Sequence, residues 1–190
     1  PNVKSKPYCS LTFGTQVYVS SFSNNWAQVI FYDLNRKFIK FIPKNHLVEV
    51  LNKEEDWVKI IEKFIGTPYK WGGKSSFGID CSGLVQIAVN FQSCTFPRNS
   101  CEQMLFGNEI LNIKNCNPKN SNIYEMYNNI IKRGDLLFWP GHVAIALNKS
   151  EIIHANSFHM ATAKEKFSTA FNRIVNKGYN NLLIKRNCFI

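Results

Sequence analysis

One cysteine stands out by its neighbours. Cys81 lies in the run Gly66–Gly83, GTPYKWGGKSSFGIDCSG, after a glycine-rich loop and at the head of an apolar stretch. Cysteine attacks as the thiolate, and a free thiol with a pKa of about 8.5 needs help to reach that state. A helix N-terminus offers unpaired N–H groups and partial positive charge, and a nearby histidine offers a proton acceptor. Two histidines follow in strand-like runs, His142 in GHVAIAL and His154 in EIIHAN. A nucleophile, a base and a group that orients the base is what this set can supply. Taken singly, a cysteine before an apolar helix reads as a buried structural thiol, and each histidine as a satisfied structural one. The glycines shift the balance. Gly72, Gly73 and Gly78 before Cys81, and Gly83 after it, allow close backbone approach to a ligand.

The elements that must position these groups follow from periodicity. In the strand opened by His142, Ala144 and Ala146 share its face, while Val143, Ile145 and Leu147 share the other. A polar residue heading a small-residue face predicts that the cysteine helix lies there, with its N-terminus near the imidazole. His154 shares a face with Ile152, so adjacent strands would set the two histidines side by side. The cysteine helix runs to about Gln92, with Leu84, Ala88 and Phe91 on one stripe and Val85 alongside. An earlier helix is expected over Lys53–Ile65, with Trp57, Ile61, Phe64 and Ile65 apolar, Asn52 as cap, Glu54, Glu55 and Asp56 in the first turn, and Gly66 and Pro68 ending it. Strands are expected over Asp135–Trp139, His142–Asn148, Glu151–Ala155 and Asn181–Arg186, and the Asn-rich span 107–132 as an irregular surface excursion with room for one short helix. A helix followed by a meandering sheet is an α+β pattern.

Ahead of this lie three short strand runs, Gln16–Ser20, Trp26–Tyr32 and Phe38–Ile42, parted by turns at Ser23-Asn24-Asn25 and Asp33-Leu34-Asn35. With no helix among them they suggest a small β-barrel. The expected domains are 1–51 and 52–190.

The bulk properties narrow the function classes. The chain has 190 residues, 45% of them apolar, enough for a small domain plus a medium one. Its net charge is +10. A basic surface or an anionic wall polymer explains this better than nucleic acid, for no basic run of five and no nucleic-acid motif occurs. No apolar run reaches the roughly 18 residues of a membrane span. Six cysteines are present: Cys9, Cys81, Cys94, Cys101, Cys116 and Cys188. With Cys81 kept free the remainder cannot all pair. No CxxC and no zinc-ligand spacing is visible, so neither metal nor cofactor is expected. Scattered thiols and a start, PNVKSKPYCSL, without the apolar stretch of a signal make the cytoplasm the expected compartment, with export the alternative if a signal was removed.

These segments resemble the NlpC family of bacterial cell-wall cysteine peptidases. The family's nucleophile motif matches Tyr69 to Gly73 and Asp80 to Gly83; its Gly-Asp-Leu and His-Val-x-Ile stretches match Gly134 to Phe138 and His142 to Ile145; Ile153-His154-Ala155 matches the third polar position; Pro97, Arg98, Ser100 and Gln103 match a Pro-Arg-x-Ser-x-x-Gln element. The resemblance covers about residues 53 to 186. It implies a papain-like core with Cys81 as nucleophile, His142 as base and His154 orienting it. It also implies that Tyr69 assists the oxyanion, that Asp80 and Ser82 hold a free substrate amine, and that Arg98 and Ser100 belong to the substrate-binding set. Many amine-binding members have Asp after the Pro-Arg pair, whereas Asn99 stands here. Residues 1–51 resemble the bacterial SH3-like domains that precede this catalytic domain, through Gly14-Thr15-Gln16-Val17, Trp26-Ala27-Gln28-Val29 and the segment Phe41 to Leu47. His46, within that segment, reads as a surface residue. The implied substrate is peptidoglycan stem peptide cut at the γ-D-glutamyl-L-diamino acid bond, with free L-Ala-γ-D-Glu-diaminopimelate fragments of murein recycling expected first. The almost absent linker suggests that the small domain closes one end of the cleft. The alternatives are an N-acetylmuramoyl-L-alanine amidase or acyltransferase on the same core, or a non-catalytic wall-binding protein.

Overall fold

Alternating β-branched, aromatic and polar residues build the first part of the chain. In the computed structural model they form three antiparallel strands, β1 (Tyr18–Ser23), β2 (Trp26–Asp33) and β3 (Arg36–Pro43), in that spatial order. Leu34 and Asn35 alone join β2 to β3, with φ of 43° and 69°. Positive φ at both turn positions gives the twist that lets a two-residue hairpin close without splaying its strands. The register slips between Val19 and Ser21, which kinks β1. Ala27 and Val29 are buried, and Tyr8 packs on Phe31 and Phe38, whose own rings stack at 5.3 Å. This sheet is consistent with a small SH3-like domain. His46 is exposed at the end of a single 3-10 turn, Lys44–His46.

The described residues are 2–50, 56–117 and 122–186, and the chain divides into two units, Pro1–Lys53 and Glu54–Ile190. The second unit is α+β. Its six-stranded sheet has the order β10-β9-β8-β7-β11-β6, every pair antiparallel. The strands are β6 (Asn108–Ile113), β7 (Leu136–Trp139), β8 (His142–Ala146), β9 (Glu151–Asn156), β10 (Ala161–Lys166) and β11 (Leu182–Arg186). A two-residue pair, β4 (Lys74–Ser75) and β5 (Gly78–Ile79), precedes the central helix. The helices are α1 (Val58–Glu62), α2 (Cys81–Phe91), α3 (Ser100–Gln103), α4 (Asn122–Ile130) and α5 (Phe167–Asn176).

Helix α2 is buried on nearly every side: Leu84, Val85, Ile87, Ala88 and Val89 are all inside. A helix apolar all round belongs to the interior, and this one is held at the middle of its unit. Helix α1 is shorter than the expected Lys53–Ile65. Asp56 accepts a hydrogen bond from the Val58 N–H at 3.1 Å and so serves the start, while the expected cap Asn52 and the residues Glu54 and Glu55 lie outside the described residues. Trp57, Ile61 and Phe64 are buried, but Ile65 is 47% exposed, because the helix has already given way to turns.

Three elements depart from the sequence reading. The excursion 107–132 contains α4, and it also contains β6, which pairs with β11 at the sheet edge. Between Glu151–Ala155 and Asn181–Arg186 lie β10 and α5. Phe167, Ala170, Phe171 and Val175 form the buried stripe of α5 at helical spacing. Finally, Ala144 and Ala146 pack in one cluster with Phe167, Ala170 and Phe171. The small-residue face of β8 therefore receives α5 rather than the cysteine helix, because the aromatic residues of α5 need the room that alanines leave.

An ion pair on a buried carboxylate secures the far end of the sheet. Asp135 accepts from Arg186 at 2.9 and 2.7 Å and from the Lys132 N–H at 2.8 Å, joining β11 to the turn before β7. Among the described residues no helix is long and apolar enough to cross a membrane.

Candidate active site

Cys81 is the first residue of α2, and Asp80 is its N-cap. The Asp80 carboxylate accepts the Gly83 N–H at 2.7 Å and the Gly72 N–H at 2.8 Å, so one side chain ties the helix start to the glycine loop. Short acceptors are favoured at this position because the first turn has N–H groups without helical partners. The loop then packs against the helix more closely than any side chain permits. A Cβ on Gly83 would come within 2.5 Å of the Gly73 carbonyl oxygen, and one on Gly73 within 2.5 Å of the Gly78 carbonyl oxygen. These glycines admit the chain itself, not a ligand. The preceding loop is fastened to β10 as well: Gly66 N–H donates to Thr162 O, Thr162 N–H to Thr67 O, and Tyr69 N–H to Met160 O, each at 2.9 Å.

Arg98 completes this side. It donates to both Asp80 oxygens, at 2.9 and 2.6 Å, to Ser82 Oγ at 2.9 Å and to the Gly73 carbonyl at 3.3 Å. Gln103 Nε2 donates to the Ser82 and Pro97 carbonyls at 2.9 Å. The Pro-Arg-x-Ser-x-x-Gln element thus clamps the turn that carries the cysteine. Asp80 already has a guanidinium across both oxygens and is 6% exposed, so it is not the open carboxylate expected for a substrate amine. Asn99, where the resemblance expects Asp, is the N-cap residue of α3, and its N–H reaches Glu102 Oε2 at 3.4 Å. Ser100 lies elsewhere, in a groove of about 410 Å³ that runs past Trp139, Pro140 and Gly141, the turn leading into His142.

Burial pushes the Cys81 thiol above its ordinary pKa, and the Asp80 charge adds to this. The backbone N–H groups of Val143, Ser82 and Cys81 itself pull the other way without winning. The thiol therefore rests protonated, against the expectation that the helix terminus would depress it. Val143 follows His142 directly, which places the sulfur at the head of β8. There β8 and β9 pair only at Ile145↔Ile153 and Ala146↔Ile152, so their ladder has ended before the histidine. Burial also raises the Tyr69 hydroxyl, and the Cys81 and then the Asp80 charge add to this.

The two histidines meet as expected. His142 Nε2 lies 2.8 Å from His154 Nδ1. Burial first, then the neighbouring His154 and Arg173, pull His142 down to about 3. His154 is wholly buried, and burial lowers it too, against the attraction of Glu165. Both rings are neutral near pH 7. The resting state is thus a thiol and a neutral base rather than an ion pair, and a base must take the proton as attack occurs.

Sequence reasoning missed what lies behind His154. Its Nε2 is 2.6 Å from Glu165 Oε1, and Arg173 donates to Glu165 Oε1 and Oε2 at 2.5 and 2.7 Å. Burial opposes ionisation of Glu165, but Arg173 and His154 outweigh it and hold the carboxyl at about 2. His159 Nδ1 approaches the same carboxylate at 3.9 Å, so His154, His159 and Glu165 form a cluster with metal-ligand atoms. The Arg173 guanidinium on both Glu165 oxygens works against a cation there. The stripe Phe167-Ala170-Phe171 could have revealed α5, but nothing local shows that Glu165 faces a histidine. All the cysteines among the described residues are free thiols; Cys188 lies outside them.

Residues 66–178 match the model of the NlpC/P60 family. Over 111 residues the chain is 36% identical to a protein named dipeptidyl-peptidase 6 from Lysinibacillus sphaericus, covering 58% of this chain and 35% of that one. Over 109 residues it is 27% identical to a γ-D-glutamyl-L-lysine dipeptidyl-peptidase of Bacillus cereus, covering 53% and 28%. The chain thus spans about a third of the length of these relatives. Among solved structures, an NlpC/P60 family protein from Bacillus cereus superposes with a TM-score of 0.69 over 93% of this chain and 55% of that one, at 20% identity, a likeness of fold.

Proposed function

This chain belongs to the NlpC/P60 family, and on that premise we propose that it is a cysteine peptidase cutting the γ-D-glutamyl-L-diamino acid bond of peptidoglycan stem peptides, with L-Ala-γ-D-Glu-diaminopimelate fragments of murein recycling as substrates. The observation that carries the reading is the hydrogen-bonded run from His142 through His154 to a buried carboxylate, with Cys81 at a helix start and its sulfur against the Val143 backbone, next in sequence to His142. The names of two relatives support the bond type, since both are dipeptidyl-peptidases and one acts on γ-D-glutamyl-L-lysine.

In this reading His142 Nδ1 takes the Cys81 proton while the sulfur attacks the γ-carbonyl carbon. The C–S bond forms as the carbonyl π pair moves to oxygen. The first-turn amide of Cys81 and the Tyr69 hydroxyl stabilise that oxyanion. His142 then returns its proton to the leaving amine, the C–N bond breaks, and water hydrolyses the thioester by the same base. His154 keeps the His142 ring in place throughout. Asp80, Ser82 and Arg98 act by holding the nucleophile turn, and Ser100 acts from the groove beside the His142 turn. The small N-terminal sheet is an SH3-like domain, and 1–51 and 52–190 are the functional divisions.

The test is a mass-spectrometric digest of the free tripeptide, its N-acetyl form and an intact N-acetylmuramoyl peptide. The expected product is the diamino acid released from γ-D-Glu. Because Asp80 is already paired, N-acetylation should lower kcat/KM by less than about tenfold, well short of the several hundredfold expected from stranding a buried charge. Release of N-acetylmuramic acid from L-Ala instead would make the protein an amidase.

A further inference from the structure

We propose that Glu165, clamped by Arg173, is a positioning residue that fixes the protons of both histidines so that His142 Nδ1 presents a bare lone pair to the thiol. This rests on the reading of Cys81 and His142 as nucleophile and base.

The argument is a chain of donors and acceptors. An ionised carboxylate only accepts hydrogen bonds. Glu165 Oε1 lies 2.6 Å from His154 Nε2, so that nitrogen carries a proton. A neutral imidazole has one N–H, so His154 Nδ1 is an acceptor. The 2.8 Å contact between it and His142 Nε2 then requires the proton on His142 Nε2. One nitrogen is left, His142 Nδ1, and it must be bare. Four successive assignments thus follow from one carboxylate. If the first were reversed, all would reverse, and His142 would offer the cysteine a donor in place of a base.

Arg173 explains how a carboxylate can do this without protonating its neighbour. An unpaired buried anion would attract a second proton onto His154. A doubly protonated His154 would donate through Nδ1 and turn His142 the wrong way round. The guanidinium occupies both Glu165 oxygens, so it keeps the acceptor geometry and cancels much of the field. Arg173 is itself placed, with its guanidinium carbon 4.2 Å from the centre of the Phe158 ring. Glu165 sits on β10 two residues from Ala163, which pairs with His154, so the strand register supplies the reach. The side chains of Glu165 and Arg173 are 8% and 15% exposed, which keeps competing water away.

The experiment reads the proton positions directly. Nitrogen-15 NMR of the histidine rings in reduced wild-type protein near pH 7 should show His142 and His154 both protonated on Nε2 alone. A lone Nδ1 proton on either ring would overturn the proposal. Folded Glu165→Gln should show mixed ring tautomers, and kcat on the tripeptide should fall about 10- to 100-fold with KM within twofold. Glu165→Asp, which keeps the charge, should recover part of that loss. A folded Glu165→Gln variant with wild-type kcat would also overturn it. The ring measurement needs no substrate, so it decides the proposal even if the wild-type protein cleaves nothing and the peptidase reading fails.

Discussion

The site has two carboxylate–arginine pairs, one on each side of the chemistry. Asp80–Arg98 stands behind the cysteine, and Glu165–Arg173 stands behind the histidines. The ion-pair chemistry is the same, but the target differs. Asp80 has a short side chain at a helix cap, so it grips nearby backbone amides, Gly83 in the first turn and Gly72 in the preceding loop. Glu165 has a longer side chain on a strand and grips an imidazole on the next strand. The first pair fixes where the sulfur is. The second fixes where a proton is. A buried charge can serve either end, and what it faces decides which.

Removing the reacting groups should give the largest effect and set the scale for both sides. Cys81→Ala and His142→Ala should each lower kcat/KM at least about a thousandfold in folded protein, whereas His154→Asn should be milder because an amide can still orient the ring. Equal and total loss in the two histidine variants would make His154 the base and dissolve the distinction between reacting and supporting groups.

Breaking the two arginines should separate the sides. Arg98→Met leaves Asp80 with the Gly72 and Gly83 amides and the Ser82 hydroxyl but no cation, and should cost about 2 kcal/mol, read as a fall in Tm of roughly 4–8 °C. Arg173→Met should fall mainly on kcat, by about tenfold, with a smaller change in Tm. If Arg98→Met lowers kcat at unchanged Tm, the nucleophile side is more than a scaffold.

The remaining contrast lies in pH. His142 is held down to about 3, so between pH ~6.5 and ~3 the unfolded chain binds a proton that the folded one does not, and stability falls on acidification. Glu165, held at about 2, contributes fully above its unfolded pKa of ~4.3 and loses this as pH drops toward 2. Tm should therefore fall below pH ~6.5, and His142→Asn should flatten the upper part of that decline. The cysteine side responds at the other end of the scale. With the thiol raised by burial, iodoacetamide alkylation of Cys81 should keep climbing beyond the ordinary thiol range. A plateau below neutral pH would mean a preformed thiolate–imidazolium pair.

The sequence alone determined the position of Cys81 at a helix start, for the cap, the glycines and the apolar run all act within a few residues. It also determined that His142 and His154 sit on strands, since period-two alternation is local. Register decided the rest. Which face of β8 took the alanine-packing helix, and that β6 joined the sheet from an Asn-rich stretch, depended on partners dozens of residues away. Whether Asp80 was open to substrate depended on Arg98, and whether His154 had a carboxylate behind it depended on the pairing of β9 with β10. Side-chain reach across strands and between elements has no signature in local spacing, because it arises only when the chain has folded and distant residues share one small buried volume.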